Sequence, residues 1–365
     1  MKNIFLTGAT GFLGSYILKH LILKTDHKIF VLVREKIGAD ASERVFRALE
    51  YIGCKDVGID RLVVVRGCID DPSLGIEPIK LREIASVIDE IYHSAAFAEF
   101  RAPLDVVRNF NVEGTRNILN FAVLCKTIGR FKKIHHISTA FVSGTYEGVF
   151  SESNLNVGQT FNNTYEQSKY EAELLALQYL DKGLDVSIYR PSILTGDSVS
   201  GKTSSFKMFY QPLHFFAAEI YDTIPANPRA EGNLVTVDSA AEAICIIADS
   251  TYARNGTYHI TNERTVNIGH FIDLASDYFG FKKPELIPYE AFDLANLTAV
   301  QRSLFEPFVG YFNVKSTFDQ KNSVKILRKH KKMISAVDDD MLKKIFKFCS
   351  DSGFIKCKGR HVVVG

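Results

Sequence analysis

The chain has 365 residues, enough for one large α/β domain with a smaller lobe or for two domains, and its 46% hydrophobic and 24% charged residues are those of an ordinary soluble globular protein. A formal net charge of +2 gives the whole chain no electrostatic basis for binding nucleic acid, and no apolar run approaches the ~18 residues of a membrane span, so membrane contact is peripheral at most. The six scattered cysteines (Cys54, Cys68, Cys125, Cys245, Cys349, Cys357) show no CxxC pair and no metal-ligand spacing to histidine, and a strand starting near residue 2 leaves no room for a signal peptide; the expectation is a cytoplasmic protein with free thiols and no metal.

Asn3–Thr7 is a short apolar run of strand type. Gly8, Gly11 and Gly14 follow it at three-residue spacing, where a helix over Phe12–Lys24 begins. A strand, glycine turn and helix in this order make a phosphate site: the first glycine permits the tight turn, the second lets backbone approach a pyrophosphate, and the third lets helix and strand pack closely. The anion then meets the unpaired N–H groups of the helix N-terminus. A lone glycine triplet is a weak signal; one placed between two strands, the second at Lys28–Arg34, points to dinucleotide binding. The end of that second strand bears on cofactor choice, because an acid there holds a free ribose 2′-hydroxyl and an arginine accommodates a 2′-phosphate. Arg34 occupies the position, with Arg44 and Arg47 on the next helix as helpers, so NADPH is expected; Glu35 next door is the acid that would serve a free ribose.

Leu62–Gly67 and Glu90–Ser94 read as the third and fourth strands, each followed by small or polar residues and a helical pattern. Ala95 and Ala96, at the end of the fourth, let backbone lie against a cofactor or simply pack tightly. Phe110–Ile128 reads as a helix with Asn111 near its start, as a cap or as a polar group in the site. Lys133–Ser138 is the fifth strand; His135 and His136, adjacent in it, point to opposite faces and cannot share a metal. The helix Thr164–Lys182 carries Tyr165 and Lys169, four apart and so on one face, and Asp185–Arg190 is the sixth strand, leading into Pro191.

Past Ser200 the rhythm changes. Phe206–Ala218 is rich in aromatic residues without a clean period, and its large apolar groups, Met208 and Phe209 among them, exceed a single amphipathic stripe. They either sandwich between two lobes or line an apolar channel for an acyl chain. Val235–Ser250 offers a strand end and a helix, Thr257–Ile260 a strand, Ile268–Phe279 a helix, and Pro284–Gly365 helices and loops. The last stretch includes a basic run, Arg328, Lys329, Lys331 and Lys332, which suits either a solvated helix end or a carrier's phosphates. The expected fold is α/β: a Rossmann-type doubly wound parallel sheet over residues 1–200 with 234–262 returning to it, and a smaller, mostly helical C-terminal substrate lobe from 201–233 and 263–365.

A tyrosine and lysine one helical turn apart, after the fifth strand of such a fold, have a chemical use. An ammonium stabilises a phenolate and draws a phenol toward acid-base work near neutrality, and a carbonyl taking up hydride needs a proton donor beside its oxyanion. With TGATGFLG at Thr7 and YEQSK at Tyr165, the chain resembles the extended short-chain dehydrogenase/reductases. The nearer likeness is to their thioester reductase and fatty acyl-CoA reductase branch, called male-sterility-like. It rests on VLVRE at Val31, LGI at Leu74, IYHSAA at Ile91, NVEGT at Asn111, ISTAFVSG at Ile137, YRPSILTGDSVSG at Tyr189, VTVDSAAEAI at Val235 and, more loosely, FEPFVGYF at Phe305.

The resemblance implies a third catalytic group, Thr139, five residues before Gly144, with Ser138 as the weaker candidate. It implies cofactor contacts from Gly8, Thr10, Gly11, Phe12, Leu13, Arg34, Arg44, Ile69, Ala95, Ala96, Asn111, Tyr165, Lys169, Pro191 and Ser192. One departure stands out: the aspartate usual after the third-strand glycine is Cys68 here, with Asp70 and Asp71 beyond, which leaves Ile69 to offer backbone and apolar surface to the adenine. The implied activity is NADPH-dependent reduction of an acyl thioester, carried by coenzyme A or an acyl carrier protein, to the aldehyde or on to the alcohol. Two rivals remain at this point: another extended reductase, such as a sugar-nucleotide epimerase or hydroxysteroid-type dehydrogenase, and a non-catalytic NADP-sensing protein. The Tyr165 and Lys169 pair speaks against the second. The sequence sets no oligomeric state.

Overall fold

The computed structural model describes residues 1–35, 38–55, 58–253 and 255–357. Seven parallel strands, β1 (Asn3–Thr7), β2 (Lys28–Val33), β3 (Leu62–Arg66), β4 (Glu90–His93), β5 (Lys133–Ile137), β6 (Val186–Pro191) and β7 (Gly256–Ile260), form one sheet in the order β7, β6, β5, β4, β1, β2, β3. The strands read as unbroken apolar runs because both faces of the sheet are covered. On one face the helices Phe12–Lys24 and Val237–Asp249 contribute Ile17, Leu21, Ile244 and Ile247 to the core; on the other, the helices Pro78–Val87, Gly114–Ile128 and Thr164–Asp181 contribute Ile84, Ile118, Ala122 and Leu175. The strand order reverses at β1, which pairs with β2 on one side and β4 on the other, so a crevice opens beyond their carboxyl ends.

A second core lies to one side of the sheet. The helix Tyr210–Ala217 buries Tyr210, Leu213 and Phe216 against Phe271 and Phe279 of the helix Ile268–Phe279, against Phe305 and Phe312, and against Phe346 of the helix Asp339–Asp351. Pro212 sits in the first turn of its helix, where no intrahelical donor is required. The helix Lys321–Lys329 returns to the sheet instead, adding Ile326 and Leu327 to its core. Beside it, Arg328 pairs with Glu263 at 3.5 Å, Lys332 with Glu242 at 2.7 Å, and Lys329 lies over the Tyr252 ring at 3.7 Å, so much of the basic run has local partners. Among the described residues no helix is long and apolar enough to cross a membrane.

Candidate active site

The glycine loop stands at the crevice. Gly8 has φ of +77°, and a Cβ on it would meet the Ala95 backbone nitrogen at 2.6 Å; a Cβ on Gly14 would lie 2.1 Å from the Gly8 carbonyl oxygen. Only glycine fits either position. Gly11, by contrast, is exposed and would meet only the Gly8 oxygen, at 3.1 Å, so its outer side is free for a ligand. The helix that follows has no side-chain cap and no acid in its first turn, leaving the N–H groups of Phe12, Leu13 and Gly14 for an anion. Phe12 is half-buried and Leu13 lies in the core, so the latter offers a phosphate only its backbone.

Two arginines meet at the end of β2. Arg44 donates to the Arg34 carbonyl oxygen and, at 3.3 Å, to Thr10 Oγ1 of the glycine loop, while Arg34 is exposed and lies 5.9 Å from the Phe110 ring centroid. Burial and the neighbouring Arg34 both push the Arg44 pKa down, the direction expected of two cations crowded without an anion between them. Glu35 turns away to Arg66 at 3.3 Å, and Arg47 to Glu43. These residues, with a glycine cradle that a Cβ would fill, fit a dinucleotide.

The other expected contacts fall around the same crevice. Ile69 packs its side chain on Gly114, and its carbonyl accepts from Asn117 Nδ2 at 2.9 Å; Asp71, through its side chain, caps its own turn at Ser73. The Ala95 N–H donates to Thr7 Oγ1 at 3.2 Å, with the residue's backbone against Gly8, and Ala96 is exposed at the mouth. Asn111 neither caps a helix nor lies in a regular one. It sits in a π-helical turn, Asn109–Glu113, set between the α-helical stretches Leu104–Arg108 and Gly114–Ile128. There its side chain accepts from the Phe97 N–H at 2.7 Å and donates to Ser168 Oγ at 2.9 Å, tying the loop after β4 to the Tyr165 helix. Such turns recur at functional sites because they redirect one side chain inward.

Lys169 is buried and donates to the Ile137 carbonyl at 2.8 Å, at the end of β5 and two residues before Thr139. Burial pushes its pKa down to about 8, against the partial support of Glu173. Tyr165, one turn earlier, is half-buried with its ring 5.7 Å from Phe100; burial and the adjoining Glu166 carboxylate push its phenol up to about 12. The downward pull expected from Lys169 is not among the influences on this phenol, which burial and Glu166 both push up. Thr139 Oγ1 donates to the Pro191 carbonyl at 3.3 Å and accepts from the Phe141 N–H at 3.3 Å; Ser138 Oγ is buried with no protein partner. Ser192 Oγ donates to Asn233 Oδ1 at 2.7 Å. His135 contacts Tyr189 at 2.9 Å on one face of the sheet, while His136 stacks near His93, centroids 5.5 Å apart, on the other. Among the described residues no cluster of three metal-ligating side chains occurs.

Sequence reasoning passed over several residues. Arg190 and Glu173 form a buried bidentate pair, 3.0 and 2.7 Å, that pins the Tyr165 helix to β6. Glu166 is wholly buried beside Tyr165 and accepts from Tyr311 Oη at 2.6 Å and from the Asn162 N–H at 2.9 Å, and burial raises its pKa to about 7. One signal was present: Asn163 followed three residues later by Glu166 is a helix-start pattern, and Asn163 does cap Glu166 N–H at 3.0 Å. Of the aromatic stretch, Phe206 stacks on Phe354, 4.2 Å between centroids, while Met208 and Phe209 line a small apolar cavity. Packing and lining are shared within the one segment. Met208 adopts φ of +49°, a left-handed conformation costly for a side chain of its kind.

A doubly wound sheet with a glycine cradle at its switch point and a tyrosine and lysine one turn apart beside β5 defines an oxidoreductase of the extended short-chain dehydrogenase/reductase class. Residues 6–244 match the family described as male sterility protein, and the chain belongs to that family. It is similar to aldehyde reductase lnbA of Aspergillus flavus, 31% identical over 289 residues, which are 75% of this chain and 28% of that protein. It is also similar to nonribosomal peptide synthetase asaC of the same organism, 29% identical over 281 residues, 71% of this chain and 26% of that one. The chain thus spans a small part of these relatives. Among solved structures, the terminal R domain from the myxalamid PKS-NRPS biosynthetic pathway superposes with a TM-score of 0.84 at 27% identity, over 98% of this chain and 93% of that domain.

Proposed function

We propose that the protein reduces an acyl thioester to the aldehyde with NADPH, the acyl group arriving on a carrier protein or on coenzyme A. The observation that carries the reading is the buried Lys169, anchored to the Ile137 carbonyl one helical turn from Tyr165, in a chain whose relatives include a nonribosomal peptide synthetase and an aldehyde reductase. Arg34 and Arg44 favour the 2′-phosphate form of the cofactor. When bound, the nicotinamide supplies hydride to the thioester carbonyl carbon. Tyr165 Oη gives its proton to the oxyanion that results, and Thr139 Oγ1 donates a second hydrogen bond to it. Lys169 steadies the phenolate left behind. The hemithioacetal then breaks its C–S bond, its hydroxyl proton returning through Tyr165 to the departing sulfur, so that thioester, hydride and proton become aldehyde and thiol.

Gly8, Thr10, Gly11, Phe12 and Leu13 hold the pyrophosphate in this reading, Ile69 borders the adenine, and Ala95, Ala96, Asn111, Pro191 and Ser192 border the nicotinamide half. Residues 1–200 with 234–262 serve the cofactor, and 201–233 with 263–365 the acyl group. Free thiols at all six cysteines suit a cytoplasmic enzyme. Incubating the protein with NADPH and acyl-CoA tests the proposal at the nicotinamide absorbance, with Tyr165→Phe as the control. The variant should bind NADPH normally and turn over on the order of a hundredfold more slowly, the usual cost of a lost acid-base group. Normal turnover in Tyr165→Phe would remove the mechanism.

A further inference from the structure

Two cavities meet at one side chain. Tyr311 lines a small apolar cavity of ≈ 50 Å³, with Met208, Phe209, Phe271 and Phe308, and also a larger cavity of ≈ 420 Å³ whose lining mixes Thr145, Asn162, Glu306 and Lys315 with apolar groups such as Phe141 and Val309. Its ring is held from two sides, stacked on Phe100 at 5.8 Å and edge-on to Phe141 at 5.0 Å, and Phe100 lies in turn 5.7 Å from the Tyr165 ring. Its hydroxyl donates to Glu166 Oε1 at 2.6 Å and accepts from Asn163 Nδ2 at 3.0 Å. The neighbouring Gly310 is pressed so close to Asn162 that a Cβ would lie 2.2 Å from Asn162 Oδ1.

Burying a carboxylate is expensive. At Glu166 it accepts from the Asn162 N–H at 2.9 Å and from Tyr311 Oη at 2.6 Å, and so bridges the helix start to Tyr311. We propose that Tyr311 is a specificity-determining partition, separating an apolar chamber for the acyl group from a larger, more polar cavity for the amide-bearing thiol arm, and that Glu166 is the positioning residue that holds the partition in place. The inference rests on the thioester reading above. Its consequence is a limit on acyl size: a chamber this small rewards each added methylene by about fourfold at most and stops rewarding after a few.

The test compares kcat/KM for a bulky and a slim acyl-CoA, the octanoyl and acetyl thioesters, in the wild-type protein and in Tyr311→Ala. Removing the ring joins the two cavities and should raise the octanoyl-to-acetyl ratio tenfold or more. Tyr311→Leu serves if the alanine variant fails to fold. Glu166→Ala, which frees the ring, should shift the ratio in the same direction but less, with KM changing more than kcat. Glu166→Gln still offers the phenol an acceptor and should restore the wild-type ratio, a rescue that a merely structural role would not give. An unchanged ratio in a folded, active Tyr311 variant overturns the partition. A wild-type protein that reduces free aldehydes and no thioester overturns the thioester reading and the thiol-arm assignment with it, whereas an unchanged ratio in an active variant overturns the partition alone. Reduction of neither class overturns both.

Discussion

In the proposed reading a ribose 2′-phosphate, carrying close to two negative charges, would meet two guanidiniums at the end of β2, Arg34 exposed and Arg44 braced against Thr10. Charge-assisted contacts of this kind are worth about 1.5 to 3 kcal/mol. Arg34→Ala should therefore weaken NADPH binding tenfold or more while leaving NADH little changed, as read by titration of nicotinamide fluorescence. Equal losses for the two cofactors would show that Arg34 does not meet the 2′-phosphate. At this scale the sequence was informative where chemistry has a fixed spacing: Tyr165 and Lys169 lie where their interval places them, and Arg34 where the strand ends. Glu166 and Tyr311 were not readable. An acid in the first turn of a helix is ordinarily solvated, and only the approach of a segment 145 residues away makes this one buried.

Between residues and the whole fold stands the glycine loop, where backbone clearance decides function. The Gly14 position lies in a regular helix, so its need for glycine comes from the packing of helix on strand and not from φ. Gly14→Ala places a methyl group 2.1 Å from the Gly8 carbonyl oxygen and must push the helix start away from the loop. Overpacking of this sort costs about 1–3 kcal/mol, so a lowered midpoint in thermal melts should accompany a loss of nucleotide affinity. Unchanged melting and binding would mean that the loop yields more readily than its contacts imply. Element limits were legible to within a residue or two where apolar runs end in glycine or polar residues. They failed at Phe110, which lies inside a longer helical run that already includes Leu104–Arg108 and carries the π-helical turn Asn109–Glu113. Asn111 there is directed by Ser168, distant in the chain, and local periodicity carries no trace of it. The aromatic stretch, which showed no clean period, becomes helical only at Tyr210, with Phe206 stacked on the equally distant Phe354.

At the scale of the whole molecule, the alternation of strand and helix foretold a parallel sheet, and the right-handed crossovers of such folds leave few strand orders to choose from. The partners of the aromatic segment were beyond reach, because Phe271, Phe305 and Phe346 come from three separate stretches of chain. Of these partners Phe271 lines the apolar cavity with Met208 and Phe209, the space given above to the acyl group in the claim that an acyl thioester is what the protein reduces. Thiol release tests that claim most directly. With acyl-CoA and NADPH supplied together, free thiol should appear only when both are present, one for each nicotinamide oxidised if the product is the aldehyde and one for every two if reduction continues to the alcohol. Nicotinamide oxidation without thiol release, or no oxidation with any acyl thioester while free carbonyl compounds are reduced, would contradict the account.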